Sequence, residues 1–307
     1  MSRIRTRRIQ ETALRALCAG VCALVLLLGG AARAEERVDL ASPEALLDFF
    51  ETLNYTPEAW QSGIREVPRA YLMDIGQNWK VNSQNIEVIQ KKRIFFRALA
   101  PLILRANEVI LQDRERLLVL TDKGAQKGNV SGDEATWLEA LGQRYKVEGA
   151  DIEELVKRVD LVPTSLVLAQ GAEESGWGTS RFAAEGNALF GQWTWGGKGI
   201  KPKEQREDLG DYRIAAFDTP LESVESYLLN INTNRAYASL RDRRVEMRAR
   251  GEAISGWDLA ETLTSYSERG AEYVESLHAI MRVNKLQATD DAFLAEGKTW
   301  EIYPVGN

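Results

Sequence analysis

Residues 168–178, Leu168-Ala-Gln-Gly-Ala-Glu-Glu-Ser-Gly-Trp-Gly178, run from an apolar segment into two carboxylates and stop at a tryptophan between glycines. Upstream, Pro163 suits a first helical turn, where a missing N–H costs nothing, and Gly176 suits a left-handed C-terminal cap. The spacing predicts a helix from Pro163 to Glu174. Leu161, Leu166, Val167, Leu168, Ala169 and Ala172 cover most of its circumference, the pattern of a helix inside a domain rather than on its surface. Glu173 and Glu174 are thereby drawn inward. A carboxylate there loses hydration and sits at the negative end of the helix dipole, and both effects favour its protonated form. Those are the conditions that make a general acid.

A solvated Glu-Glu pair would carry no chemistry, so the surroundings decide. Trp177, Phe182, Phe190, Trp193 and Trp195 follow closely, mixed with Gly176, Gly178, Gly186, Gly191, Gly196, Gly197 and Gly199. Aromatic faces stack on the apolar faces of pyranose rings, and glycine lets a backbone approach a ligand. The same tryptophans would also serve ordinary core packing.

Residues 1–34 have the layout of a secretory leader. Arg3, Arg5, Arg7 and Arg8 precede an apolar run from Ala13 to Leu28, and Ala32-Arg33-Ala34 offers a small-residue cleavage site. The expected mature chain starts at Glu35, in the periplasm or cell envelope, with no stable membrane span after cleavage. Both cysteines, Cys18 and Cys22, fall in the leader, so a mature chain of this kind is held by its core alone. Removing the leader's six basic residues and one acidic residue from 39 Lys+Arg and 45 Asp+Glu leaves a net charge near −11. That balance argues against nucleic acid and against electrostatic docking on anionic membrane.

Absences narrow the chemistry. His278 is the single histidine, which removes Cys-His peptidases, Ser-His-Asp hydrolases and His-ligated zinc amidases. There is no Ser-x-x-Lys, Walker loop or dinucleotide fingerprint. Neither cofactor nor metal is expected, and glycoside hydrolysis is the reaction carboxylates perform without either. His278, in an apolar-patterned segment, reads as structural.

The expected organisation is a leader (1–34), a helical N-terminal region (35–145), a catalytic domain (146–287) and a polar tail without clear period (288–307). Ser42-Pro43 opens a helix through Phe50 and Pro68 another through Trp79. The longest spans Asn85 to Leu120, with Pro101 expected to kink or split it. Residues 122–133 read as a loop, and Ser131 caps a helix to Gln143. Phe190–Trp195 and Tyr212–Phe217 read as a hairpin, followed by helices over Pro220–Asn230, Tyr237–Arg248, Trp257–Tyr266 and Glu272–Val283.

Residues 166–191, LVLAQGAEESGWGTSRFAAEGNALFG, contain Ala-Gln-x-Ala, Glu-Ser-Gly-Trp-Gly-x-Ser and Gly-Asn-x-Leu-Phe-Gly. This segment resembles the glucosaminidase domain of bacterial peptidoglycan hydrolases, the family of flagellar and autolytic endo-β-N-acetylglucosaminidases. Ser223-x-x-x-Tyr227 and the segment from Asn230 to Tyr237 resemble a branch of that family with a helical N-terminal extension. The resemblance implies an α+β, mostly α, lysozyme-like fold with a small β-hairpin, and peptidoglycan glycan strands as the partner.

It also implies that the acid is Glu174, immediately before Ser-Gly-Trp-Gly. Glu173, about a hundred degrees away around the helix, becomes the solvated neighbour. Asn187, Phe190 and Gly191 would line the groove floor, with Trp177, Trp193, Trp195 and Tyr273 as further sugar contacts. Tyr266, in Ser265-Tyr-Ser-Glu, matches the family's active-site tyrosine segment, although the usual Tyr-Ala-Thr-Asp is altered. The second carboxylate would come from the hairpin, where Glu204, Glu207, Asp208 and Asp211 all qualify and Glu207 is preferred. The substrate's acetamido oxygen is the other nucleophile open to such an enzyme. The implied reaction cuts the β-1,4 bond after N-acetylglucosamine. Muramidases and lytic transglycosylases on the same fold remain open, as do a non-catalytic wall-binding protein and an N-terminal region that restrains activity.

Overall fold

The computed structural model describes residues 35–122, 130, 132–205 and 210–305. The expected leader, most of the loop at 122–133, and Glu207 and Asp208 lie outside the described residues.

The chain begins with β1 (Glu35–Leu40), α1 (Pro43–Thr52), α2 (Pro57–Gln61), β2 (Glu66–Leu72), α3 (Trp79–Asn82) and the long α4 (Val88–Asp122). Then come α5 (Asp133–Tyr145), α6 (Ile152–Arg158), α7 (Thr164–Ser175) and α8 (Arg181–Gly186). Three short strands, β3 (Trp193–Thr194), β4 (Gly199–Ile200) and β5 (Arg213–Ala215), precede α9 (Pro220–Thr233), α10 (Ala238–Ala249), α11 (Gly256–Ala260) and α12 (Ala271–Asn284). The last strand is β6 (Phe293–Pro304). The fold is α+β and mostly helical.

Local signals account for many of these boundaries. Ser42 and Thr219 accept hydrogen bonds from Ala45 N and Glu222 N, and each is followed by proline in the first turn. The expected hairpin forms as β3 against β5, with Trp193 opposite Ile214, and β4 adds to the other side of β5. Phe190 and Gly191 precede its first strand. The α4 helix runs on through Pro101 rather than splitting there. Every residue from Ala98 to Leu104 is buried, so packing on all sides offsets the one lost hydrogen bond. The next helix starts at Asp133 with Gly132 at its cap, later than a Ser131 cap would place it. The segment Trp257–Tyr266 is helical only in α11, and Tyr266 sits on a turn.

Two readings fail at long range. Pro68 lies within β2 and opens no helix, and the polar tail contains β6, the central strand of a sheet ordered β1-β6-β2. β2 pairs parallel with β6, and the register shifts between Val67 and Arg69. Pro68 therefore occupies a bulge in an edge strand, a place where a missing N–H is tolerated. Parallel partners are remote in sequence, so neither strand could be read locally.

The described residues from Glu36 onward form a single unit. The α4 residues Leu99, Leu102, Ile103 and Ala106 share one hydrophobic core with Leu166, Leu168 and Ala172 of α7 and with Tyr227 and Leu228 of α9. The N-terminal region is thus part of the body that holds Glu174. Helix α7 is buried from Thr164 to Ala172, and it approaches α4 so closely that a Cβ on Gly171 would lie 2.9 Å from Leu99 Cδ2.

The start of α7 is held from the far end of the chain. Asp290 accepts hydrogen bonds from Ser165 N (2.8 Å), Ser165 Oγ (2.9 Å) and Gly256 N (3.0 Å), placing a carboxyl at the positive end of the helix dipole. Asp290→Ala leaves these donors without their acceptor, and urea denaturation should show a loss of roughly 1–3 kcal/mol. An unchanged midpoint would show that the cap carries no stability.

Candidate active site

Helix α7 ends as its residues dictate. Gly176, Trp177 and Gly178 all have positive φ (56°, 63° and 75°), which turns the chain sharply away after the two glutamates. Glycine accepts this region freely, whereas tryptophan does not, so Trp177 must be held by its neighbours. It is: its ring packs edge-on against Phe95 and Phe96, with the Lys92 ammonium 4.8 Å from its centre, and its carbonyl accepts Trp79 Nε1–H at 2.9 Å.

Glu174 lies at the head of an ordered hydrogen-bond chain. Tyr273 OH donates to Glu174 Oε1 at 2.8 Å and accepts from Gln170 Nε2 at 3.0 Å, while Gln170 Oε1 accepts from Tyr227 OH. Gln170, Tyr227 and Tyr273 are buried, and burial raises both phenol pKa values, with the Glu174 charge adding to the effect. The phenols therefore keep their protons. With Tyr273 fixed as a donor, Glu174 Oε1 stays an acceptor and a proton on this carboxyl belongs on Oε2. That oxygen faces Gly191, where a Cβ would stand 3.7 Å from it. Burial raises the Glu174 pKa; the Tyr273 hydrogen bond opposes this, the Glu173 charge adds to it, and Arg269 opposes it.

Glu173 is not the solvated neighbour that was expected. Its side chain is half-buried and its two oxygens accept from Arg269 Nη1 (2.6 Å) and Ser276 Oγ (2.9 Å). The pairing turns it away from the chain of donors that serves Glu174.

The other predicted site residues divide. Tyr266 stacks flat on Tyr273 (5.3 Å, 6°) and donates to Phe190 O at 3.3 Å, so it supports the tyrosine that holds Glu174. Tyr273 itself contacts Glu174. Trp177 faces α4 rather than a groove. Phe190 is 2% exposed and stacks on Tyr227 at 4.1 Å, a core position. Asn187 is buried and acts as a latch, accepting from Ile75 N (3.0 Å) and donating to Asp218 O (3.2 Å). Of the three residues assigned to the groove floor, only Gly191 borders the acid. Trp193 and Trp195, 45% and 65% exposed, form an edge-to-face pair on the small sheet, outside the Glu174 network.

On the hairpin, the Asp211 carboxylate is held below its ordinary range first by Gln205 and then by Lys201. Glu204 is exposed. His278 stacks on Trp257 (3.8 Å, 5°) with Nε2 2.9 Å from Trp257 O, a packed residue. No cluster of three or more His, Cys, Asp or Glu among the described residues could hold a metal ion. Gln170 went unassigned, yet a lone amide in Leu-Val-Leu-Ala-Gln-Gly-Ala was the signal, because a polar group in an apolar helix needs a partner. Arg269 and Ser276 gave no such signal.

The family described as "Glucosaminidase: Mannosyl-glycoprotein endo-beta-N-acetylglucosaminidase" matches residues 149–286, which include Gln170, Glu174, Gly191 and Tyr273. Protein bax of Escherichia coli (strain K12) is 31% identical over 201 residues, covering 64% of this chain and 70% of the relative. Among solved structures, the catalytic domain of the autolysin Auto from Listeria monocytogenes is 19% identical, with a TM-score of 0.33, over 58% of this chain and 96% of that one. The chain belongs to the glucosaminidase family, and its glucosaminidase domain makes it a glycoside hydrolase by class.

The opposing influences on Glu174 give two testable shifts. If activity needs protonated Glu174, it is present below the Glu174 pKa and lost as pH rises through it. Tyr273→Phe removes an interaction that favours the charged form, so the basic limb of the pH–rate profile should move up. Glu173→Gln removes a charge that favours the neutral form and releases Arg269, so the limb should move down. Shifts in one common direction would contradict the assignment.

Proposed function

We propose that the protein hydrolyses the glycan strands of peptidoglycan, cutting the β-1,4 bond that follows N-acetylglucosamine, with Glu174 as the general acid. The observation that carries this reading is a raised, half-buried carboxyl whose Oε1 is fixed by Tyr273 and whose Oε2 faces a glycine. A proton on Oε2 passes to the glycosidic oxygen as the bond breaks. The carboxylate left behind accepts the Tyr273 hydrogen bond at the moment its charge appears, which stabilises the transition state more than the neutral ground state. Gly191 leaves the space through which the glycosidic oxygen approaches, and Trp193 and Trp195 offer stacking faces for neighbouring sugars.

The oxocarbenium side of the reaction needs a second group. Of the described carboxylates, Glu173 is the one that acts on Glu174, and Arg269 and Ser276 already occupy it. Our candidate is Glu207, with the substrate's acetamido oxygen as the alternative. If turnover survives Glu→Gln and Asp→Asn changes at Glu204, Glu207, Asp208 and Asp211 alike, the acetamido route is the one in use. We further propose export of the chain to the periplasm or cell envelope by residues 1–34. No described helix is long and apolar enough to cross a membrane.

Mass spectrometry of purified peptidoglycan after digestion tests the whole reading. Wild type should release fragments with reducing N-acetylglucosamine ends, and Glu174→Gln should be slower by roughly 10²- to 10⁴-fold. Reducing or anhydro muramic ends would make the enzyme a muramidase or a lytic transglycosylase. Retention on wall without sugar release by wild type would make it a binding protein.

A further inference from the structure

A cavity of about 300 Å³ lies away from the Glu174 network, between the ends of β1, β2 and β6 and helices α3 and α4. Leu46, Leu72, Phe95, Leu99, Leu102 and Ile302 give it apolar walls. No charged residue lines it, and its polar side chains are Ser42, Asn78, Asn82 and the Trp79 indole. The space is partly open to solvent at its mouth, and its apolar walls offer a hydrocarbon chain a place out of water.

We propose that the cavity binds an unbranched aliphatic chain carrying an uncharged, hydrogen-bonding head. The length follows from the volume, which suits a medium chain. The head follows from the lining: the Asn82 amide and the Ser42 hydroxyl can meet an alcohol or ester, whereas a carboxylate would find no cation among the lining residues and would lose hydration without compensation. The occupant would rest on two groups tied to the turn after the acid. Gly178 forms part of the wall, and the Trp79 indole, another part, holds the Trp177 carbonyl. Ligand bound here would therefore stiffen the Gly176–Gly178 turn without touching Glu174. The proposal stands whichever glycan bond the enzyme cuts.

Calorimetric titration of the purified protein with 1-decanol and, separately, decanoate is the test, with the melting temperature recorded in parallel. Decanol should bind saturably and raise the melting temperature, because a ligand of the folded state alone stabilises it. Decanoate should bind roughly tenfold or more weakly, since its charge is buried unpaired. Ala98 lines the cavity, so Ala98→Phe, or the milder Ala98→Met if phenylalanine disturbs folding, should fill it and abolish decanol binding while circular dichroism stays unchanged. The proposal is overturned by no saturable decanol binding to wild type, by equal affinity for decanoate, or by undiminished binding to both folded variants.

Discussion

The site depends on one constraint: a carboxylate has been carried into the domain on the end of a helix that is buried on every side. From Thr164 to Ala172, α7 has no exposed face, so Glu174 cannot recover full hydration without unpacking the core. The remaining features follow from managing that group. Three left-handed residues turn the chain away before the next glycine-rich segment, and the Tyr227–Gln170–Tyr273 chain supplies one donor to one oxygen. Glu173, one position earlier, receives an arginine and a serine instead. Two adjacent glutamates thus acquire different surroundings, Glu173 paired with Arg269 and Ser276 and Glu174 biased toward its proton by burial.

The same constraint explains why the N-terminal region cannot be treated as an appendage. An internal helix needs cover on all sides. Helix α4 supplies one side so closely that a Cβ on Gly171 would meet Leu99 Cδ2 at 2.9 Å, while Asp290, from beyond α12, fastens its start. The turn after the acid leans on Phe95, Phe96 and Trp79 of the N-terminal region. Residues outside 149–286 therefore set the position of Glu174.

What could be read in advance was local. The acid helix, its Gly176 cap, the proline-led helices and the hairpin each announce themselves within a few residues. The β1-β6-β2 sheet did not, because its central strand comes from the last residues described and its proline occupies a bulge whose tolerance depends on a remote partner. Site residues obeyed the same rule. The motif singled out Glu174 and Gly191, which the fold brings side by side, whereas the roles given to Trp177, Phe190 and Asn187 rested on residue type near glycines. Their actual partners are on α4, on α9 and in the segment after β2, and only the fold brings these together.

The central claim is that the fold holds Glu174 as a carboxyl of raised pKa beside a tyrosine that keeps its own proton. Carbon-13 NMR titration of the Glu174 carboxyl, assigned by its loss in Glu174→Gln, measures this directly. The account predicts a midpoint above the ordinary glutamate range, with Tyr273 still protonated throughout. A midpoint at or below that range would contradict it, since Glu174 would then be an ordinary carboxylate at the end of a buried helix.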